Sequence, residues 1–174
     1  YYCKFLLDTG NTDAALERAL KTFEWRGQRS WQVTVDSTSL LASDLLVLGL
    51  IFMHHGDYTN AKVNLDKQVE LFKSSNDWLY LPSGLNARAM YYIKVANYPR
   101  AEADLSEALE ISQRTGARFG QWESYLNFSQ LYLAKSDRPG ARRFLAKAMS
   151  LKGMSDYKFR DHEIGQLSDS LSQI

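Results

Sequence analysis

The chain repeats its own chemistry every 40 residues, and that echo limits the possible folds more than any other feature. Laid on itself at this offset, Leu45 aligns with Leu85 and Tyr125, and Phe52 with Tyr92 and Tyr132. Small residues coincide at Gly49, Ala89 and Ser129, and again at Gly56, Ala96 and Ser136. Asp57, Asn97 and Asp137 follow, then Ala61, Ala101 and Ala141, then Leu65, Leu105 and Leu145, and then Leu71, Ile111 and Leu151. A partial copy with Gly10, Asn11 and Ala15 lies 46 residues before the first full one.

Each unit reads as two antiparallel helices. Leu45, Leu48, Gly49 and Phe52 fall at the i, i+3, i+4 and i+7 positions of one helical stripe. A turn is expected at Gly56-Asp57, Ala96-Asn97 and Ser136-Asp137, with Asp or Asn capping the next helix. Pro99 and Pro139 come two residues later, in a first turn where a missing N–H costs nothing. The second helix carries its own stripe, Ala101, Leu105, Ala108 and Leu109.

Two helices approach to about 8–10 Å only where the side chains between them are short. Gly49 with Ala61, Ala89 with Ala101, and Ser129 with Ala141 are expected to supply that contact within each hairpin. Phe52, Tyr92 and Tyr132 would then fill the groove against the neighbouring hairpin. One hairpin cannot bury both of its faces, so the units are expected to stack into an all-α solenoid.

The spacing Leu48-Gly49-x-x-Phe52-x-x-x-Gly56-Asp57-Tyr58-x-x-Ala61-x-x-x-Leu65 resembles the tetratricopeptide repeat (TPR) signature, and the units Leu85 to Ile111 and Tyr125 to Leu151 fit it with Ala or Ser in place of glycine. The 40-residue period exceeds the roughly 34 residues of the basic motif. It is similar to the longer-helix TPRs of bacterial signalling proteins. Leu81-Pro82 through Tyr132-Leu133, and on to Tyr157-x-x-Arg160-Asp161, resembles the C-terminal repeats of bacterial proteins that carry a STAND-type (NACHT-like) ATPase. There the repeats act as sensor or partner-binding arms.

The expected organisation is a single array over 1–174, with a partial first repeat at 1–26, full repeats at 38–75, 82–115 and 121–153, and a capping helix at 157–173. Ile164, Leu167 and Leu171 stand at helical spacing for that cap. The first repeat is truncated, with Tyr2 and Cys3 at mid-helix positions, and the Trp common early in a TPR first helix is Leu or Tyr here. The chain opens on Tyr1 inside an expected helix, which reads as a piece of a larger protein. Gly27 to Ser39 adds six residues to the first spacing, read as helix extension from about Trp31.

In the architecture the resemblance implies, first helices line a concave surface and second helices face outward. The inner positions are Leu46, Leu50 and Met53, with His54 beside them; then Asn86, Met90, Ile93 and Lys94; then Leu126, Asn127, Gln130 and Leu133. These are expected to hold an apolar or amphipathic protein segment, with Asn86, Asn127 and Gln130 bonding its backbone. The competing expectation is that curvature buries them against adjacent helices. TPR domains that grip a C-terminal carboxylate use Lys, Arg and Asn at inner positions. Here those places are mostly Leu, Met and Ile, so a chaperone-tail clamp is not implied.

Composition removes other classes. A net charge of +1 gives no broad basic field for nucleic acid, and Arg138, Arg142, Arg143 and Lys147 read as a solvated outer stripe. Cys3 is alone, so neither an internal disulfide nor a thiolate zinc site is expected, and a reducing, cytoplasmic setting fits. The longest apolar run, Leu45 to Met53, has nine residues, less than half of the roughly 20 a membrane span needs. His54 and His55 point about 100° apart on a helix and cannot share a metal ion. Trp25, Trp31, Trp78 and Trp122 lie near helix ends and read as loop anchors. No Gly-rich phosphate loop, nucleophile elbow or HExxH pattern occurs, and acidic residues look scattered over outer faces. The expectation is a protein-binding module without catalysis, cofactor or metal, the sensor or scaffold arm of a larger bacterial signalling protein. The alternative is self-association, or intramolecular regulation of a parent protein, with no foreign ligand.

Overall fold

The computed structural model describes residues 11–27, 35–152 and 161–172. Those residues form eight α-helices and no strand: α1 (Thr12–Gly27), α2 (Val35–His54), α3 (Tyr58–Ser74), α4 (Leu81–Lys94), α5 (Tyr98–Arg114), α6 (Arg118–Ala134), α7 (Arg138–Lys152) and α8 (Asp161–Ser172). The all-α expectation holds for the described residues. Tyr2, Cys3, Gly10, Trp31 and the start of the expected cap at 157 lie outside them. The extra length after Gly27 appears in part as helix, because α2 runs 20 residues.

The same turn ends five successive helices. A left-handed residue stands at Gly56, Asn76, Ala96, Gly116 and Ser136, every twentieth position, with φ between 53° and 75°. After each, an N–H reaches back across the turn to a carbonyl in the last helical turn: Asp57 to Phe52, Asp77 to Phe72, Asn97 to Tyr92, Ala117 to Ser112 and Asp137 to Tyr132, at 2.8–2.9 Å. A second bond runs from the left-handed residue itself, as from Gly56 to Met53 at 3.2 Å. This is the Schellman arrangement, which satisfies carbonyls that the helix end leaves open. Glycine meets the positive φ at two positions without strain; Ala96 and Ser136 hold it at some cost. At the three turns within hairpins the next residue then caps the following helix, whereas Ala117 has no side-chain acceptor to cap α6. Asp57 accepts the Asn60 N–H at 3.0 Å, Asn97 that of Arg100 at 3.4 Å, and Asp137 that of Gly140 at 2.9 Å. Asp77 does the same for Tyr80 at 3.2 Å, just before α4. Turns within and between hairpins are therefore alike, and the 40-residue echo contains a 20-residue structural step.

Equal turns set the packing order. Each helix packs on its successor, and α2, α4, α6 and α8 also meet along a row. No Cα of α3 comes within 8 Å of α5, nor any of α5 within 8 Å of α7. Within the pairs, the small residues act as expected. A Cβ built on Gly49 would stand 2.6 Å from the Leu65 side chain. Ser129, in the equivalent position of α6, donates its Oγ–H to the Ala141 carbonyl at 2.9 Å and is fully buried.

The central core joins α3 through α6: Ala61 and Leu65, then Ala89, Tyr91 and Tyr92, then Ala101 and Leu105, then Phe128 and Leu131. A separate group seats α8, whose Ile164, Leu167 and Leu171 bury against Trp122, Leu126, Leu145 and Ala148. Removing a fully buried leucine such as Leu65 from a core of this kind costs about 2–5 kcal/mol.

Candidate functional site

The sequence-predicted inner residues fall into two groups. Asn86, Leu126 and Asn127 are 0–1% exposed and packed between helices, so they are corrected here from ligand contacts to interior residues. Asn127 Nδ2 donates to Asn86 Oδ1 at 3.1 Å, Asn86 Nδ2 donates to Ser124 Oγ at 3.1 Å, and Ser124 Oγ donates to the Gly120 carbonyl at 2.8 Å. The two amides spend their hydrogen bonds joining α4 to α6. A buried amide must be satisfied by something, and here it is the neighbouring helix.

The other eight keep access to solvent. Leu46, Leu50, Met53, Met90, Ile93, Gln130 and Leu133 are half-buried, and Lys94 is exposed at the end of α4. Leu46, Leu50, Met53 and Ile93 rest one side on the central core, and Leu133 rests on the group that seats α8. Together they run along α2, α4 and α6, the helices that meet in a row.

Sequence reasoning missed the main electrostatic element. Arg88 on α4 donates through Nε to Asp104 Oδ2 and through Nη2 to Asp104 Oδ1, both at 2.8 Å, and through Nη1 to Asp66 Oδ1 at 3.1 Å. Lys62 bonds the other oxygen of Asp66. Asp104 is 6% exposed, which corrects the expectation that acidic residues lie on outer faces. Burial opposes the charge on Arg88, but the hydrogen bonds and charge of Asp104, with Asp66 adding, outweigh it and raise the guanidinium pKa above its ordinary value. Lys62 is likewise held above its usual range by its hydrogen bond to Asp66. The group ties three successive helices, α3, α4 and α5. The available signal was an Arg in the phase occupied by Leu48 and Phe128 in the other units, matched by an Asp in the phase of Asn64 and Phe144.

The basic residues of α7 are also engaged. Arg142 donates to the Leu171 carbonyl at the end of α8, and Lys147 lies 5.4 Å from the rings of both Tyr125 and Phe144. Arg143 stands 5.1 Å from the Phe144 ring. All four residues of the stripe are exposed, as expected of an outer face, and three of them lie along Phe144 or the end of α8. His55 Nε2 is 3.5 Å from Asp13 Oδ1, which joins the end of α2 to α1. Trp122 is buried at 4% exposure, whereas Trp78 is 44% exposed and anchors no loop interior.

Among the described residues, no cluster of three or more His, Cys, Asp or Glu is placed to hold a metal, and no helix is long and apolar enough to cross a membrane. No family model matches the chain, and no curated protein matches it.

Proposed function

We propose that the chain is a TPR-type solenoid and works as a protein-recognition module, binding a peptide or protein segment along the face formed by α2, α4 and α6. The observation that carries this reading is the unequal spacing of the two helix layers: first helices meet in a row while second helices stay apart. A stack packed more closely on one side bends toward that side, which makes the first helices the inner wall. Leu50, Met53, Met90, Ile93 and Leu133 then offer half-exposed apolar surface in repeated phase, and Lys94 adds a cation at the rim. Such a wall suits an amphipathic segment whose apolar side chains meet the strip at successive steps. The module performs binding, not catalysis, and serves as the sensor or scaffold arm of a larger signalling protein.

A random-peptide display library panned on the intact chain tests this. Enriched peptides are expected to lose affinity about tenfold or more on Met90→Glu combined with Ile93→Glu, with helicity unchanged by circular dichroism. The inner-wall reading is removed if no enriched peptide loses affinity on this substitution, or if the library yields none. A concentration-dependent dimer in light scattering, dissociated by the same variant, would instead assign the wall to a second copy.

A further inference from the structure

The two ends of the helices differ in chemistry. The turns inside the hairpins are built mostly from polar residues such as His54, His55, Thr59 and Asn60, all exposed, and their exposed apolar side chains, Tyr58 at 38% and Val95 at 37%, stand in separate hairpins. The turns between hairpins instead carry Trp78, Leu79 and Tyr80 before α4 and Phe119 in the first turn of α6, exposed by 44%, 69%, 50% and 37%. These turns lie side by side. A Cβ on Gly120 would come 3.8 Å from the Pro82 side chain, and the Arg114 guanidinium at the end of α5 lies 5.7 Å from the Trp78 ring centre. Trp78 and Leu79 belong to no buried cluster among the described residues. Tyr80 stacks on Phe72 and Phe119 tilts against Trp122, with ring centres 6.1 and 5.5 Å apart, and both keep exposed surface.

Charge defines the rim of this patch. Arg114 and Arg118 are exposed and have no carboxylate at ion-pair distance among the described residues. The carboxylate of Asp77, in the turn before α4, accepts the Tyr80 N–H at 3.2 Å. An exposed apolar cluster bordered by two uncompensated guanidiniums matches the anatomy of an interaction site, an apolar centre within a charged border.

We propose that this edge is a second docking site, separate from the inner wall, for an acidic peptide segment bearing a leucine or an aromatic residue. The apolar side chain covers Leu79 and Trp78, and carboxylates on either side pair with Arg114 and Arg118, whose planar forks suit bidentate contact. Two cations on a chain of net charge +1 are too few to hold a nucleic-acid strand by its phosphates, which favours a peptide over base stacking on Trp78.

The same display library, panned on the Met90→Glu, Ile93→Glu variant, isolates this site from the inner wall. Selected peptides are expected to combine Asp or Glu with Leu, Phe or Trp. They should lose about tenfold in affinity on Trp78→Ala with Leu79→Ser, and should weaken on Arg114→Gln with Arg118→Gln and with added salt. Helicity should not change, because both apolar positions are exposed. The proposal is overturned if peptides bind the Trp78, Leu79 variant as tightly, if they carry no acidic residues, or if none is enriched. Binding of fluorescein-labelled oligothymidylate that the same substitutions abolish would also overturn it, in favour of single-stranded nucleic acid. Failure here leaves the inner-wall result intact, since that binding is scored on other residues.

Discussion

The α4–α5 and α6–α7 hairpins close the same contact with opposite chemistry. In the first, Arg88 meets Asp104 through two bonds of 2.8 Å. In the second, Phe128 and Phe144, each 40 residues later, stack with centroids 4.7 Å apart and planes 15° from parallel. Tyr125 and Tyr132 extend that stack around Phe144. Both hairpins share the turn, the cap and a small residue at the crossing, so the backbone brings the two positions together whatever fills them. The fillings then differ in how they reach the preceding hairpin. Phe128 does so by packing into the central core, whereas Arg88 does so through its hydrogen bond to Asp66. An ion group cut from water adds little net stability over an apolar pair but is costly to break in half.

The largest effect should come from the aromatic side of this comparison. Phe128→Ala removes a 5%-exposed ring from the stack and is expected to cost about 4 kcal/mol in urea unfolding. A cost near that of a surface change would mean that the rings do not hold the hairpin. Arg88→Ala should follow at about 3 kcal/mol, the low end for breaking a buried pair because Arg88 keeps 17% exposure, since it strands Asp104 in the interior. Installing the solution of the α2–α3 hairpin, Arg88→Leu with Asp104→Asn after Leu48 and Asn64, should return stability to within about 1 kcal/mol of the parent. If the double variant is no better than Arg88→Ala, the repeat phase does not define interchangeable positions.

A smaller effect tests the same interchangeability at Gln68. Its side chain is fully buried with neither amide atom hydrogen-bonded, and a Cβ on Gly84 would press on it at 3.1 Å. The next junction between hairpins, α5 against α6, places Ala108 and Ser124 at the matching positions. Gln68→Ala with Gly84→Ala is therefore expected to stabilise by about 1 kcal/mol, by removing an unsatisfied polar group; a loss of stability would show that the amide has a partner in solution. Smallest of all, Ala96→Gly should raise the melting temperature by the equivalent of about 0.5–1 kcal/mol, since Ala96 holds φ at 56°.

The helices and three of their turns were legible because each is written in local chemistry: apolar spacing of 3.6, an Asx cap, a proline in the first turn. The turns at Asn76 and Gly116 were not picked out. Asn76-Asp77 and Gly116-Ala117 share geometry without sharing residue types, so a comparison by identity passes over them. Of the expected inner wall, Asn86, Leu126 and Asn127 turned out to be interior. A repeat aligned at 40 residues pairs Asn86 with Leu126, and does not reveal that the Asn86 side chain meets Asn127, 41 residues on. Arg88 and Asp104 each break the apolar phase, and only the contact between their helices shows why both are tolerated. Long-range pairing of this kind lies in packing, one level above what periodicity records.

The proposed inner wall is tested most directly by hydrogen exchange on the intact chain, with and without a peptide from the display library. Recognition along the first helices predicts slowed exchange in α2, α4 and α6 around Leu50, Met90, Ile93 and Gln130, with α3, α5 and α7 unchanged. Slowing confined to α3, α5 and α7 would place the partner on the opposite layer and contradict the account.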